Sequence, residues 1–88
     1  MSVSGIKTTS LFERHYRKLT KKIKELAKQK EHIFRDNPFA PSLETHKLQG
    51  REKELWAFSI NRKYRIKFAF LEHGWILFVD AGLHDIYE

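Results

Sequence analysis

Three aromatic and β-branched runs, joined by three-residue polar links, constrain this chain more than any other feature. Residues 55–60, 64–71 and 75–80 are separated only by Asn61-Arg62-Lys63 and Glu72-His73-Gly74. Composition of that kind reads as β-strand, and connections that short join antiparallel neighbours, so a meander is expected. The middle run alternates most clearly. Tyr64, Ile66, Phe68 and Phe70 share one face, and Arg65, Lys67 and Ala69 share the other. Aromatics beneath and cations above predict a sheet with one buried face and one open face suited to an anion.

The rest of the chain supplies what covers the buried face. A weak strand is expected within residues 3–8. Ser10 with Glu13 matches a capping box, which places a helix start near Leu11. Phe12, Tyr16 and Leu19 follow at helical spacing, and Thr20 is positioned to recap the chain. Ile23, Leu26, Ala27, Ile33 and Phe34 give a second amphipathic helix whose lysines lie mostly off the apolar stripe, as on a solvated surface. Asn37-Pro38-Phe39-Ala40-Pro41-Ser42 ends it, because proline cannot donate a helix hydrogen bond and disfavours helix at the residue before it. The predicted fold is α+β, with two N-terminal helices on one face of a twisted antiparallel sheet. At 88 residues, the chain (1–88) is expected to form one domain.

Composition narrows function. The chain has no cysteine, which excludes disulfide and thiol chemistry and fits a cytoplasmic protein. Its start lacks an apolar signal region and no long uncharged span is present, so neither export nor membrane insertion is expected. A net charge of +6 and a pI near 9.7 favour a polyanionic partner. Phosphate-binding glycine loops and HExxH are missing, and the histidines at 15, 32, 46, 73 and 84 have no paired spacing. No metal and no cofactor are therefore expected. His15, His32 and His73 read as surface or half-buried polar residues.

What remains is a cluster of cations and imidazoles: His46, Lys47, Arg51, Lys53, Arg62, Lys63, Arg65, Lys67 and His84. Metal-free cleavage of an RNA phosphodiester needs a base for the ribose 2′-hydroxyl, an acid for the leaving oxygen and cations for the charge on phosphorus. Histidine and lysine can move protons, arginine presents a planar fork to phosphate, and aromatic rings can stack on a splayed base. All these residue types are present. Composition alone defines a nucleic-acid- or anion-binding α+β domain and leaves enzymatic activity open.

The run NPFAPSLETHKLQG, the strand WAFSI, then YRIKF and the tail DAGLHDIY together resemble the RelE/ParE superfamily of toxin–antitoxin toxins, on its RelE- and YafQ-like branch. The resemblance spans residues 12–87. It implies an mRNA endonuclease (mRNA interferase) that inhibits translation in the ribosomal A site and is silenced by a cognate antitoxin. By position, Arg65 resembles the strand arginine that binds the scissile phosphate. His84 resembles the C-terminal proton-transfer histidine, and His46 the histidine opening the H-x-L-x-G loop. Tyr87 is similar to the terminal aromatic that orients substrate. Lys47, Arg51 and Lys53 fit the family's basic loop, and Arg62, Lys63 and Lys67 extend the RNA-binding surface.

The chain departs from its YafQ-like relatives at two positions. Asp80 stands where they tend to carry an arginine, and Ser59 where they tend to carry a histidine. Asp80 has two readings: it orients His84 or Arg65, or it caps the turn at Gly82. A second function class stays open, a non-catalytic module of the same fold such as a ParE-like topoisomerase inhibitor or a degenerate, antitoxin-binding toxin. A nonspecific basic RNA-binding protein is a third.

Overall fold

The structure, a computed structural model, describes residues 2–83. Strand β1 (Gly5–Thr8) leads into helix α1 (Ser10–Arg17) and helix α2 (Lys21–Asp36). Short strand β2 (His46–Lys47) follows, then β3 (Trp56–Ser59), β4 (Tyr64–Phe70) and β5 (Trp75–Leu83). The expected meander is present. β3 pairs antiparallel with β4, and β4 with β5, across links whose geometry suits them: His73 and Gly74 both take positive φ in the second. His46-Lys47 adds a fourth antiparallel strand beside β3.

The five strands lie in the order β1-β5-β4-β3-β2. Only β1 departs from the antiparallel expectation. It runs parallel to β5, with Gly5 beside Trp75 and Thr8 beside Phe78, so the sheet is mixed. The parallel pairing follows from the connection: both helices and three strands separate β1 from β5, and no tight turn dictates their direction.

Both helices pack on one face, and Phe34 is the hub. Its ring centroid lies 4.7 Å from Phe58, 4.9 Å from Phe68 and 5.6 Å from Phe78. Phe12, Ala27, Ile66 and Ile76 are buried around it, and Tyr16, Leu19, Ile23 and Leu26 pack against the cluster. Most of the predicted core is observed, but Ile33 of the α2 stripe is exposed, and Leu43 and Ile60 join the buried cluster. Phe68 is 0 % exposed.

The first helix starts one residue earlier than the capping box suggested. Thr9, not Ser10, is the N-cap, its hydroxyl accepting from Phe12 N at 3.0 Å. The same hydroxyl donates to the carbonyl of Val79 at 2.7 Å, so tertiary contact decides which of two neighbouring hydroxyl residues caps the helix. Thr20 caps α2 as expected.

Val79 is also where the β4–β5 register slips. Phe68 pairs with Phe78, but Lys67 pairs with Asp80, leaving Val79 as an extra residue in β5. Strict alternation would put Asp80 on the core side with Phe78. After the bulge, Ala81 takes that place opposite Ile66, and Asp80 leaves the core-facing set.

Candidate functional site

The face of the sheet turned away from the helices carries two cross-strand rows. One runs His46, Ala57, Lys67, Asp80; the other runs Ser59, Arg65, Gly82. Strand spacing of about 4.8 Å and a rise of about 3.4 Å per residue put the Cα atoms of His46 and Arg65 roughly 12 Å apart. That separation lets an imidazole and a guanidinium approach one substrate from two sides. His46 is exposed, and its Nδ1 donates to the Glu44 carbonyl at 3.0 Å, which leaves Nε2 as the basic nitrogen.

The two strand cations sit differently from a simple alternating face. Arg65 occupies the open-face row but is half-buried. Its Nη1 folds back over the β3–β4 turn and donates to the carbonyls of Asn61 at 2.6 Å, Arg62 at 3.1 Å and Tyr64 at 3.2 Å. Lys67 is only 7 % exposed, and its Nζ lies 2.7 and 2.9 Å from the two carboxylate oxygens of Glu52. Glu52 ends a single 3-10 turn (Gly50–Glu52), so this ion pair draws the basic loop across the sheet.

The loop cations Lys47, Arg51 and Lys53 are all exposed, as are Arg62 and Lys63 at the β3–β4 turn. Asn61 holds that turn with its side-chain oxygen, which accepts from the backbone of Lys63 and Tyr64. Ser59 is buried, and its hydroxyl donates to Glu44 at 3.1 Å. His84 and Tyr87 lie outside the described residues. Among the described residues no group of three acidic, histidine or cysteine side chains is arranged to hold a metal, and no helix is long and apolar enough to cross a membrane.

Asp80 does not cap a turn at Gly82, because β5 runs through Gly82 to Leu83, and the reading that it orients His84 lies outside the described residues. The Asp80 Oδ1 lies 2.6 Å from Nδ1 of His15 on α1 and also accepts from Ala81 N at 2.8 Å. His15 is thus half of a carboxylate–imidazole pair and not an incidental surface residue. Its place three positions after buried Phe12 marks it as half-buried. Nothing local in the sequence points to a partner 65 positions away.

A two-helix layer over this mixed five-stranded sheet is a fold that the chain shares with solved structures of toxins from toxin–antitoxin systems. The YoeB/ParE toxin from Agrobacterium tumefaciens superposes with a TM-score of 0.76 at 16% identity, covering 96% of this chain and 99% of that one. The archaeal RelE of the RelE–RelB complex from Pyrococcus horikoshii gives 0.74 at 15%, covering 94% and 96%. YafQ from E. coli gives 0.71 at 18%, covering 92% and 93%. The sequence matches no family model and no curated protein.

Proposed function

We propose that the protein is the toxin of a type II toxin–antitoxin system, a metal-independent endoribonuclease that cuts mRNA in the ribosomal A site. The observation that supports it most is the open face: exposed His46 and the cations of two loops border the Arg65 row, on a fold shared end to end with such toxins. In this reading Arg65 stabilises charge on phosphorus, while His46 and His84 move protons. Lys47, Arg51, Lys53, Arg62 and Lys63 grip the backbone, Tyr87 stacks on a base, and Lys67 holds the loop through Glu52.

The test is cleavage of mRNA on programmed ribosomes, with growth arrest on induction as the cellular counterpart. Arg65→Ala should lose about 100- to 1000-fold, and His84→Gln and His46→Gln roughly 100- to 10000-fold each. Complexes among the similar structures, RelE–RelB and DinJ–YafQ, support a cognate antitoxin as partner. An acidic or amphipathic antitoxin segment across the basic face should associate more slowly as salt rises.

One observation favours the second reading, a non-catalytic binding module of the same fold. Arg65 and Lys67 both spend hydrogen bonds inside the protein, on turn carbonyls and on Glu52. Wild-type protein that cuts nothing, with Arg65→Ala and His84→Gln variants that arrest growth as well as it does, would establish that reading in place of the nuclease.

A further inference from the structure

Glu44 holds a backbone conformation that its residue type rarely adopts. It follows the 3-10 turn Pro41–Leu43 with φ 51 and ψ 40, the left-handed region that crowds an L side chain. Such a conformation persists only where neighbouring contacts hold it, and it gathers at sites where the strain serves a purpose. Here the contacts come from both sides. Leu43, just before it, is fully buried, and the hydroxyl of Thr45, just after it, donates to the carbonyl of buried Pro38. The Glu44 side chain is held as well: the hydroxyl of Ser59, only 3 % exposed, donates to its Oε1 at 3.1 Å. What the left-handed turn delivers is a carbonyl, which accepts from Nδ1 of His46 at 3.0 Å. Ser59 sits opposite Arg65 in the β3–β4 ladder, and His46 sits opposite Ala57, two residues earlier on β3. Glu44 therefore bridges the imidazole, through its backbone, and the strand pair that carries the guanidinium, through its carboxylate.

We propose that Glu44, clamped by Ser59, is the positioning residue for His46 in the cleavage of RNA on this face. The inference rests on the nuclease reading and adds to it what sets the tautomer and placement of the imidazole. A carbonyl can only accept, so the contact keeps a proton on Nδ1 and leaves Nε2 as the basic nitrogen. Without it the exposed ring exchanges tautomers and rotamers, and only a fraction of molecules present a base in the productive place. Glu44 touches neither substrate nor reacting atoms. Its carboxylate acts through the chain: Ser59 holds the side chain, the side chain holds the left-handed turn, and the turn aims the carbonyl.

Wild type, Ser59→Ala, Glu44→Ala, Glu44→Gln, His46→Gln and the double variant of Ser59→Ala with His46→Gln are compared for mRNA cleavage on programmed ribosomes. Folding of each variant is checked by urea denaturation. Ser59→Ala and Glu44→Ala should each lower kcat roughly 10- to 100-fold with KM little changed. Glu44→Gln keeps an oxygen for the Ser59 hydroxyl and should recover most of the Glu44→Ala loss. In the His46→Gln background Ser59→Ala should cost nothing further, because a residue that acts only through His46 has nothing left to position. Apart from activity, the ¹⁵N signals of the neutral His46 ring should report a protonated Nδ1 in wild type and mixed tautomers in Ser59→Ala. If wild type cuts and Ser59→Ala and Glu44→Ala cut as fast, with the ring signals unchanged, this inference fails and the nuclease reading stands. If wild type cuts nothing, the nuclease reading fails and the inference falls with it. A Ser59→Ala loss that persists in the His46→Gln background would make the contact a structural staple. Glu44→Gln as inactive as His46→Gln would make the carboxylate itself a proton-transfer group. Either result overturns the inference.

Discussion

Glu52 and Lys67 meet over the open face of the sheet, with the Lys67 ammonium 2.7 Å from one carboxylate oxygen and 2.9 Å from the other. The pair is asymmetric: Lys67 is buried, whereas the Glu52 side chain is 38% exposed. Removing the carboxylate strips both contacts from an ammonium that water reaches poorly. Glu52→Ala should therefore cost about 1–3 kcal/mol. Lys67→Met, which replaces the charge with an apolar chain of similar length, should cost less. Urea unfolding of the two single variants and the double variant measures the coupling, and equal costs for the two singles would contradict this asymmetry.

The Thr9 hydroxyl ties the start of α1 to the bulge of β5, accepting from Phe12 N and donating to the Val79 carbonyl. Thr9→Ala loses a cap and a tertiary bond together. A destabilisation of about 0.5–2 kcal/mol is expected, while Ser10→Ala should change stability far less. Thermal denaturation of both variants tells the true cap from its neighbour.

Phe68 is fully buried between Phe34, Phe58 and Phe70. Truncation to alanine leaves a cavity that neighbouring rings cannot close, and Phe68→Ala should cost about 3–5 kcal/mol. A urea midpoint within error of wild type would contradict the packing described here.

Burial first, and the nearby Glu31 carboxylate second, raise the Tyr16 phenol above its ordinary 10.0. The folded chain thus keeps a proton that the unfolded chain gives up. That contribution to stability is whole below pH 10 and is lost as pH rises from there through the raised folded value. Tyr16→Phe cannot ionise, so its stability should fall less steeply above pH 10 than that of wild type. Parallel denaturation series across that range compare the two slopes.

By itself the sequence determined the elements and most of the core. Period-2 alternation in residues 64–70, three-residue polar joints and the 3.6-residue stripe from Phe12 to Phe34 are local signals, and each follows from burying one face of a strand or helix. The alternation also placed Arg65 and Lys67 opposite the aromatics, but it could not say what covers them. Tertiary structure decided that Lys67 lies beneath Glu52 and that Arg65 folds over its own turn, because both contacts come from loops brought in by pairing. It likewise chose Thr9 over Ser10 as the cap, set β1 parallel to β5 and slipped the register at Val79. That slip takes Asp80 out of the core-facing row and lets it meet His15, two residues that become neighbours only when α1 packs beside β5.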